Sequence, residues 1–72
     1  MDINNSVKFP ENLKMLRQTK GMGQRSLAEA LNTSLKTISH WETGYSEPSI
    51  AQLVAIANLF DVTLDDLVGR EI

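Results

Sequence analysis

The apolar residues of this chain come in short bursts at helical spacing, set apart by glycine, asparagine, aspartate, serine and threonine. No stretch alternates apolar and polar positions as a half-buried strand requires. Five helices are predicted. Pro10 suits a first helical position, where its missing N–H has no partner to lose. Leu13 and Leu16, with the stems of Arg17 and Lys20, continue one face until Gly21 stops the helix. The second segment runs from Gln24 to Leu31, with Leu27, Ala28 and Leu31 on one side. It ends at Asn32, which tolerates the left-handed backbone of a tight turn. Ser34 caps a third helix that ends at Gly44.

Ser49 and Gln52 spell a capping box ahead of the fourth helix. There Ile50, Leu53, Val54, Ala57 and Phe60 repeat at helical spacing, and Ala51, Ala55, Ile56 and Leu59 fill the other sides. A helix apolar all round is expected to be the most deeply buried of the set. Thr63 caps the fifth helix, Asp65 and Asp66 sit where the helix dipole favours anions, and Val62 is placed to staple onto Leu67. Short connections between such helices predict an all-α, compact five-helix bundle. Residues 1–8 read as a flexible N-terminal arm and residues 9–72 as a single domain.

Composition narrows the chemistry. Seventy-two residues allow one small core, and 42% apolar with 22% charged residues suits a globular chain rather than a disordered one. The absence of cysteine excludes disulfides, thiolate zinc sites and a thiol nucleophile. His40 is the one histidine, which excludes a multi-histidine metal centre. No apolar run approaches the ~20 residues of a membrane span, and the start, MDINNSVK, lacks an apolar signal segment. A cytoplasmic protein with no cofactor and no membrane contact is expected. No nucleophile–base pair, glycine-rich phosphate loop or paired acid/base spacing points to an enzyme.

Net charge is −2, but its distribution is uneven. Residues 1–44 balance at +2 and residues 45–72 at −4. A mildly basic half therefore faces an acidic one, and the basic half contains the second and third helices. Two short helices joined by so tight a turn cross steeply, which lets the second protrude. On that third helix, at roughly 100° per residue, Ser34, Ile38, Trp41 and Glu42 fall on one arc and Lys36, Thr37, Ser39, His40 and Thr43 on the opposite one. The outer arc holds hydrogen-bonding side chains and no carboxylate, as a surface lying against a polyanion must. Trp41 reads as core. Glu42, turned inward, needs a buried partner, and Arg17 is the candidate.

These residues resemble a known family. The stretch from Leu13 to Leu67 is similar to the XRE/Cro-type helix-turn-helix domain of phage repressors and bacterial regulators, and the similarity covers about residues 9–69, nearly the whole chain. The resemblance rests on Arg17, Gln24, Leu27-Ala28, Thr37-Ile38-Ser39, Trp41-Glu42, Gly44, Pro48-Ser49 and the closing V-T-L-D-D-L. It implies a sequence-specific regulator, Cro-like and repressing, that binds a palindromic double-stranded DNA operator as a homodimer. Carried over by position, Leu35, Lys36, Thr37 and His40 fall on base-reading positions. Gln24, Thr43 and the Gly44 N–H fall on phosphate contacts, and Arg17 with Glu42 on an internal ion pair. Arg25, Ser39 and Tyr45 extend the expected phosphate set; Arg25 reads equally as solvated surface and Tyr45 as a cover for its loop.

The chain departs from the family where Tyr45-Ser46-Glu47 replaces a basic loop and Gly23 replaces a Ser or Thr cap. Leu35 cannot hydrogen-bond a base and is left to meet a thymine methyl or to pack. Leu64, Leu67, Val68 and Ile72 are the expected dimer surface. The alternative is a protein-interaction module or antitoxin, with a protein partner and weak or no DNA binding on the same fold.

Overall fold

Helix ends decide this architecture, because each helix leaves N–H and C=O groups that something must satisfy. The computed structural model describes residues 7–69. Helix α1 spans Phe9–Thr19, α2 Gln24–Ala30, α3 Leu35–Thr43, α4 Ile50–Phe60 and α5 Leu64–Val68. There is no strand among the described residues. Ser34 Oγ accepts from the Thr37 amide at 3.1 Å and Thr63 Oγ1 from the Asp66 amide at 3.0 Å. Ser49 and Gln52 close the full capping box, with bonds of 3.1 and 2.7 Å.

The first four helices stop in one way. Gly21, Asn32, Gly44 and Asp61 each take positive φ. The next residue then donates its N–H back into the helix: Met22 to Arg17, Thr33 to Ala28, Tyr45 to His40 and Val62 to Ala57, at 2.9–3.0 Å. This is the Schellman arrangement, which satisfies final-turn carbonyls and turns the chain sharply.

Each helix contributes one fully buried side chain to the centre: Leu13, Leu27, Ile38, Ile56 and Leu67. Trp41 and Phe9 meet edge to face beside them, centroids 6.4 Å apart. Helix α3 packs on α1 and α2, and α5 packs on α1 and α4. The two ends of the described chain are joined: the Lys8 amide donates to the Val68 carbonyl at 2.7 Å, and Asn12 Nδ2 donates to the carbonyls of Asp66 and Leu67. The radius of gyration is 11.7 Å.

The five helices follow the sequence pattern, with four differences in detail. Helix α4 is not the most buried: Ile50 is 78% exposed, Val54 and Leu59 are exposed, and so are Ala51 and Ala55. Only the side bearing Ile56, Ala57 and Phe60 has neighbours, since one small core cannot surround a helix. Leu67, expected on a dimer surface, is fully buried; it occupies the staple position against half-buried Val62 and is the residue through which a five-residue helix is anchored. Ser34 is exposed rather than on the inner arc, because a cap residue has extended backbone (φ −97°, ψ 156°) to which the helical period does not extend. Of the expected arm, residues 1–6 lie outside the described residues, and Lys8 is tied to Val68. Ile72 also lies outside them.

Gly69 carries a steric requirement. Its φ is +77°, and a Cβ there would stand 2.9 Å from Lys8 Cβ and 3.0 Å from Asn12 Nδ2. Gly69→Ala should therefore cost about 2–4 kcal/mol, combining the left-handed penalty with a clash against a main-chain-fixed atom. Gly21→Ala has the same backbone sign but open space, and should cost about 1–2 kcal/mol. Thermal melts of the two variants check the order; equal losses would show that the α1–α5 junction is pliant.

Candidate nucleic-acid interface

The setting of α3 about its own axis decides what the molecule presents. Glu42, on the inner side of α3, keeps its side chain only 3% exposed. Arg17 of α1 grips it with two bonds, Nε to Oε2 at 2.6 Å and Nη2 to Oε1 at 3.1 Å. Arg17 Nη1 also donates to the Met22 carbonyl at 2.9 Å. Gln24 Nε2, at the start of α2, donates to Glu42 Oε1 at 3.1 Å. One carboxylate thus ties three helices and a turn together. The hydrogen bond from Arg17 to Glu42 raises the guanidinium pKa above its ordinary value against the opposing effect of burial, so the cation persists throughout the working pH range. No buried side-chain nitrogen or oxygen among the described residues lacks a partner.

With Ile38, Trp41 and Glu42 drawn inward, the opposite face of α3 is open. Leu35, Lys36 and Thr43 are exposed, while Thr37, Ser39 and His40 are half-buried. The Thr37 hydroxyl meets the Ser34 hydroxyl at 2.9 Å. Thr43 Oγ1 donates to the His40 carbonyl at 3.2 Å, so its hydroxyl must turn to donate elsewhere. The Gly44 N–H points back at the carbonyls of His40 and Trp41. Gly44 thus provides the left-handed corner, not the free donor expected of it. Arg25 is exposed at the start of α2.

Two contacts were not anticipated from the sequence. Gln24, expected on phosphate, is already engaged with Glu42 and keeps one amide hydrogen to offer. The His40 and Tyr45 rings lie 4.5 Å apart at 49°. The second was legible in principle: Tyr45 follows the glycine that ends α3, and that position returns to the residue five before it. Leu64 is exposed and Val68 half-buried, at the far end from this face in sequence.

The helix-turn-helix family profile matches residues 13–67. The chain belongs to this family, in its XRE type, a class of DNA-binding regulators. It is 40% identical over 65 residues to the HTH-type transcriptional activator BcrR of Enterococcus faecalis, covering 90% of this chain and 32% of that protein. It is 38% identical over 61 residues to the HTH-type transcriptional regulator AnsR of Bacillus subtilis, covering 85% of this chain and 53% of that one. The crystal structure of a transcriptional regulator from Listeria innocua superposes with a TM-score of 0.88 at 31% identity, over 93% of this chain and 63% of that chain. The chain therefore spans about a third to a half of the curated relatives it matches.

Glu42→Ala leaves the Arg17 guanidinium buried without its partner and should destabilise the fold by about 3–5 kcal/mol. Replacing both members with apolar residues, Arg17→Met with Glu42→Leu, should lose much less, since no charge is then stranded. Urea denaturation of the three variants checks this; a double variant as unstable as the single one would show that the charges themselves hold the fold.

Proposed function

We propose that this domain binds double-stranded DNA in a sequence-specific way and regulates transcription in the cytoplasm, as a homodimer on a two-fold operator. The observation that carries this reading is the outer face of α3: Lys36 and Leu35 exposed, Thr37, Ser39 and His40 half-buried, and no carboxylate among them. The first turn of α3 enters a major groove. Lys36 donates to a guanine edge, Thr37 and His40 add hydrogen bonds, and Leu35 meets a thymine methyl. Gln24 offers its free amide hydrogen to a phosphate. Arg25, Ser39 and Thr43, its hydroxyl turned outward, add backbone contacts that fix the register.

Dimerisation follows from affinity, because one such domain buries little DNA surface. The solvent side of α4, with Ile50 and Val54 one turn apart and Leu59 on its far flank, is with Leu64 of α5 a largely apolar surface, and a second copy covers it. The mode we propose is repression, since a domain seated on its operator excludes other proteins from that stretch of duplex. An acidic flank with exposed Glu47, Asp61 and Asp66 and half-buried Asp65 supports a protein partner as the competing occupant.

Fluorescence anisotropy with mixed-sequence duplex DNA at two salt concentrations tests the reading. With about three cationic contacts per protomer, a dimer should show a log–log salt slope on the order of −5. No detectable binding near 50 mM salt, the low end of the usual range, gives the fold to the protein-interaction reading. Lys36→Ala should lower operator affinity by about 1–3 kcal/mol with an unchanged melting temperature. A drop in melting temperature would mean that Lys36 belongs to the fold. In sedimentation velocity, Val54→Asp with Leu64→Asp should convert dimer to monomer and weaken operator binding about tenfold or more; a persistent dimer would place the interface elsewhere.

A further inference from the structure

The end of α3 differs from the other three helices that stop in the Schellman manner. In that motif the residue after the left-handed corner packs against the residue five positions before it. Met22 and Val62, which hold this place after α1 and α4, lean half-buried on the core. Tyr45 does not: it is 78% exposed, yet its ring lies 4.5 Å from that of His40. Core packing therefore does not account for an aromatic residue at this position. Its ring neighbour is a side chain on the outer face of the helix.

The backbone leaves the pair little freedom. Gly44 sits at φ +80°, and the His40 carbonyl accepts from the Tyr45 amide at 2.9 Å, the Ser46 amide at 3.4 Å and Thr43 Oγ1 at 3.2 Å. These donors, together with the Gly44 amide, converge on one carbonyl, so the main chain that carries Tyr45 is fixed to the main chain that carries His40. An imidazole at the end of two torsions must be ordered before it can choose between bases, and ordering a side chain beforehand removes that cost from binding.

We propose that Tyr45 is a positioning residue for sequence readout: its ring holds the His40 imidazole in one orientation and so sharpens the preference that His40 imposes on one base pair of each half-site. This rests on the DNA-binding reading above. The phenol hydroxyl need not touch DNA; the tilted ring-to-ring contact is what acts.

The test uses the whole chain. Sites are selected from a random duplex library with the unaltered protein, and His40→Ala identifies the base pair whose preference His40 sets. Tyr45→Ala and Tyr45→Phe are then titrated against that site and its three single-pair variants. Tyr45→Ala should lose about three- to tenfold of the discrimination at that pair and leave the other pairs and the salt slope unchanged, whereas Tyr45→Phe keeps the ring contact and should stay within about twofold. In the free protein, the His40 ring-proton resonances should move on Tyr45→Ala and hold nearly still on Tyr45→Phe.

A uniform loss on every duplex from both variants would make Tyr45 a phosphate contact and overturn the proposal. So would unchanged discrimination in Tyr45→Ala, or a His40→Ala variant that relaxes no base pair. If the unaltered protein selects no site at all, the DNA-binding reading falls and this inference with it. Selection by the unaltered protein with an indifferent Tyr45→Ala sinks the inference alone.

Discussion

The Arg17–Glu42 ion pair sets the rotation of α3, and most of what the surface offers depends on that rotation. A turn of one residue about the helix axis would swing Glu42 toward solvent and move His40 toward the core, leaving a carboxylate where a polyanion must lie. The bidentate grip at 2.6 and 3.1 Å prevents this by joining α3 to α1, and Gln24 joins the same carboxylate to α2. Buried pairs of this kind add little net stability over apolar residues of equal size. Their directional bonds instead fix which face is inside, a constraint that Ile38 and Trp41 alone would impose less sharply.

The helix ends extend the same logic to the site. Repeated use of a left-handed corner lets four helices reverse direction within a few residues, so a chain of 72 residues still closes around one core. At Gly44 that corner sits directly behind the outward face of α3 and carries Tyr45 back over His40. A device that serves compactness elsewhere in the fold here also sets one ring beside another on the outward face of α3. The closure of α1 on α5 through Lys8, Asn12 and Gly69 fixes the start of α1, where Pro10 lies against the same Gly44 corner.

Helices and their limits were legible because caps and breakers act locally: Ser34, Ser49, Thr63, Gly21 and Gly44 fulfil the roles that their chemistry suggests. The Arg17–Glu42 pair was legible too, since an inward acid demands a cation. Burial of α4 was not, because residue pattern tells how much apolar surface a helix carries but not how many neighbours reach it. Leu67 was misjudged for the complementary reason: in a helix of five residues the one good anchor must go inside. Gln24 and Gly44 resembled phosphate contacts, but hydrogen bonds already made inside the protein occupy much of their donor capacity, and periodicity carries no information about such competition.

Function here requires one open helix face to meet DNA. The most direct measurement is a two-dimensional amide and side-chain NMR titration of the whole chain with duplex DNA. Perturbations should gather at residues 35–45 together with Gln24 and Arg25, while the Trp41 indole and the Phe9 region stay in place. Perturbations centred instead on the acidic flank of α4 and α5, with α3 silent, would contradict that requirement.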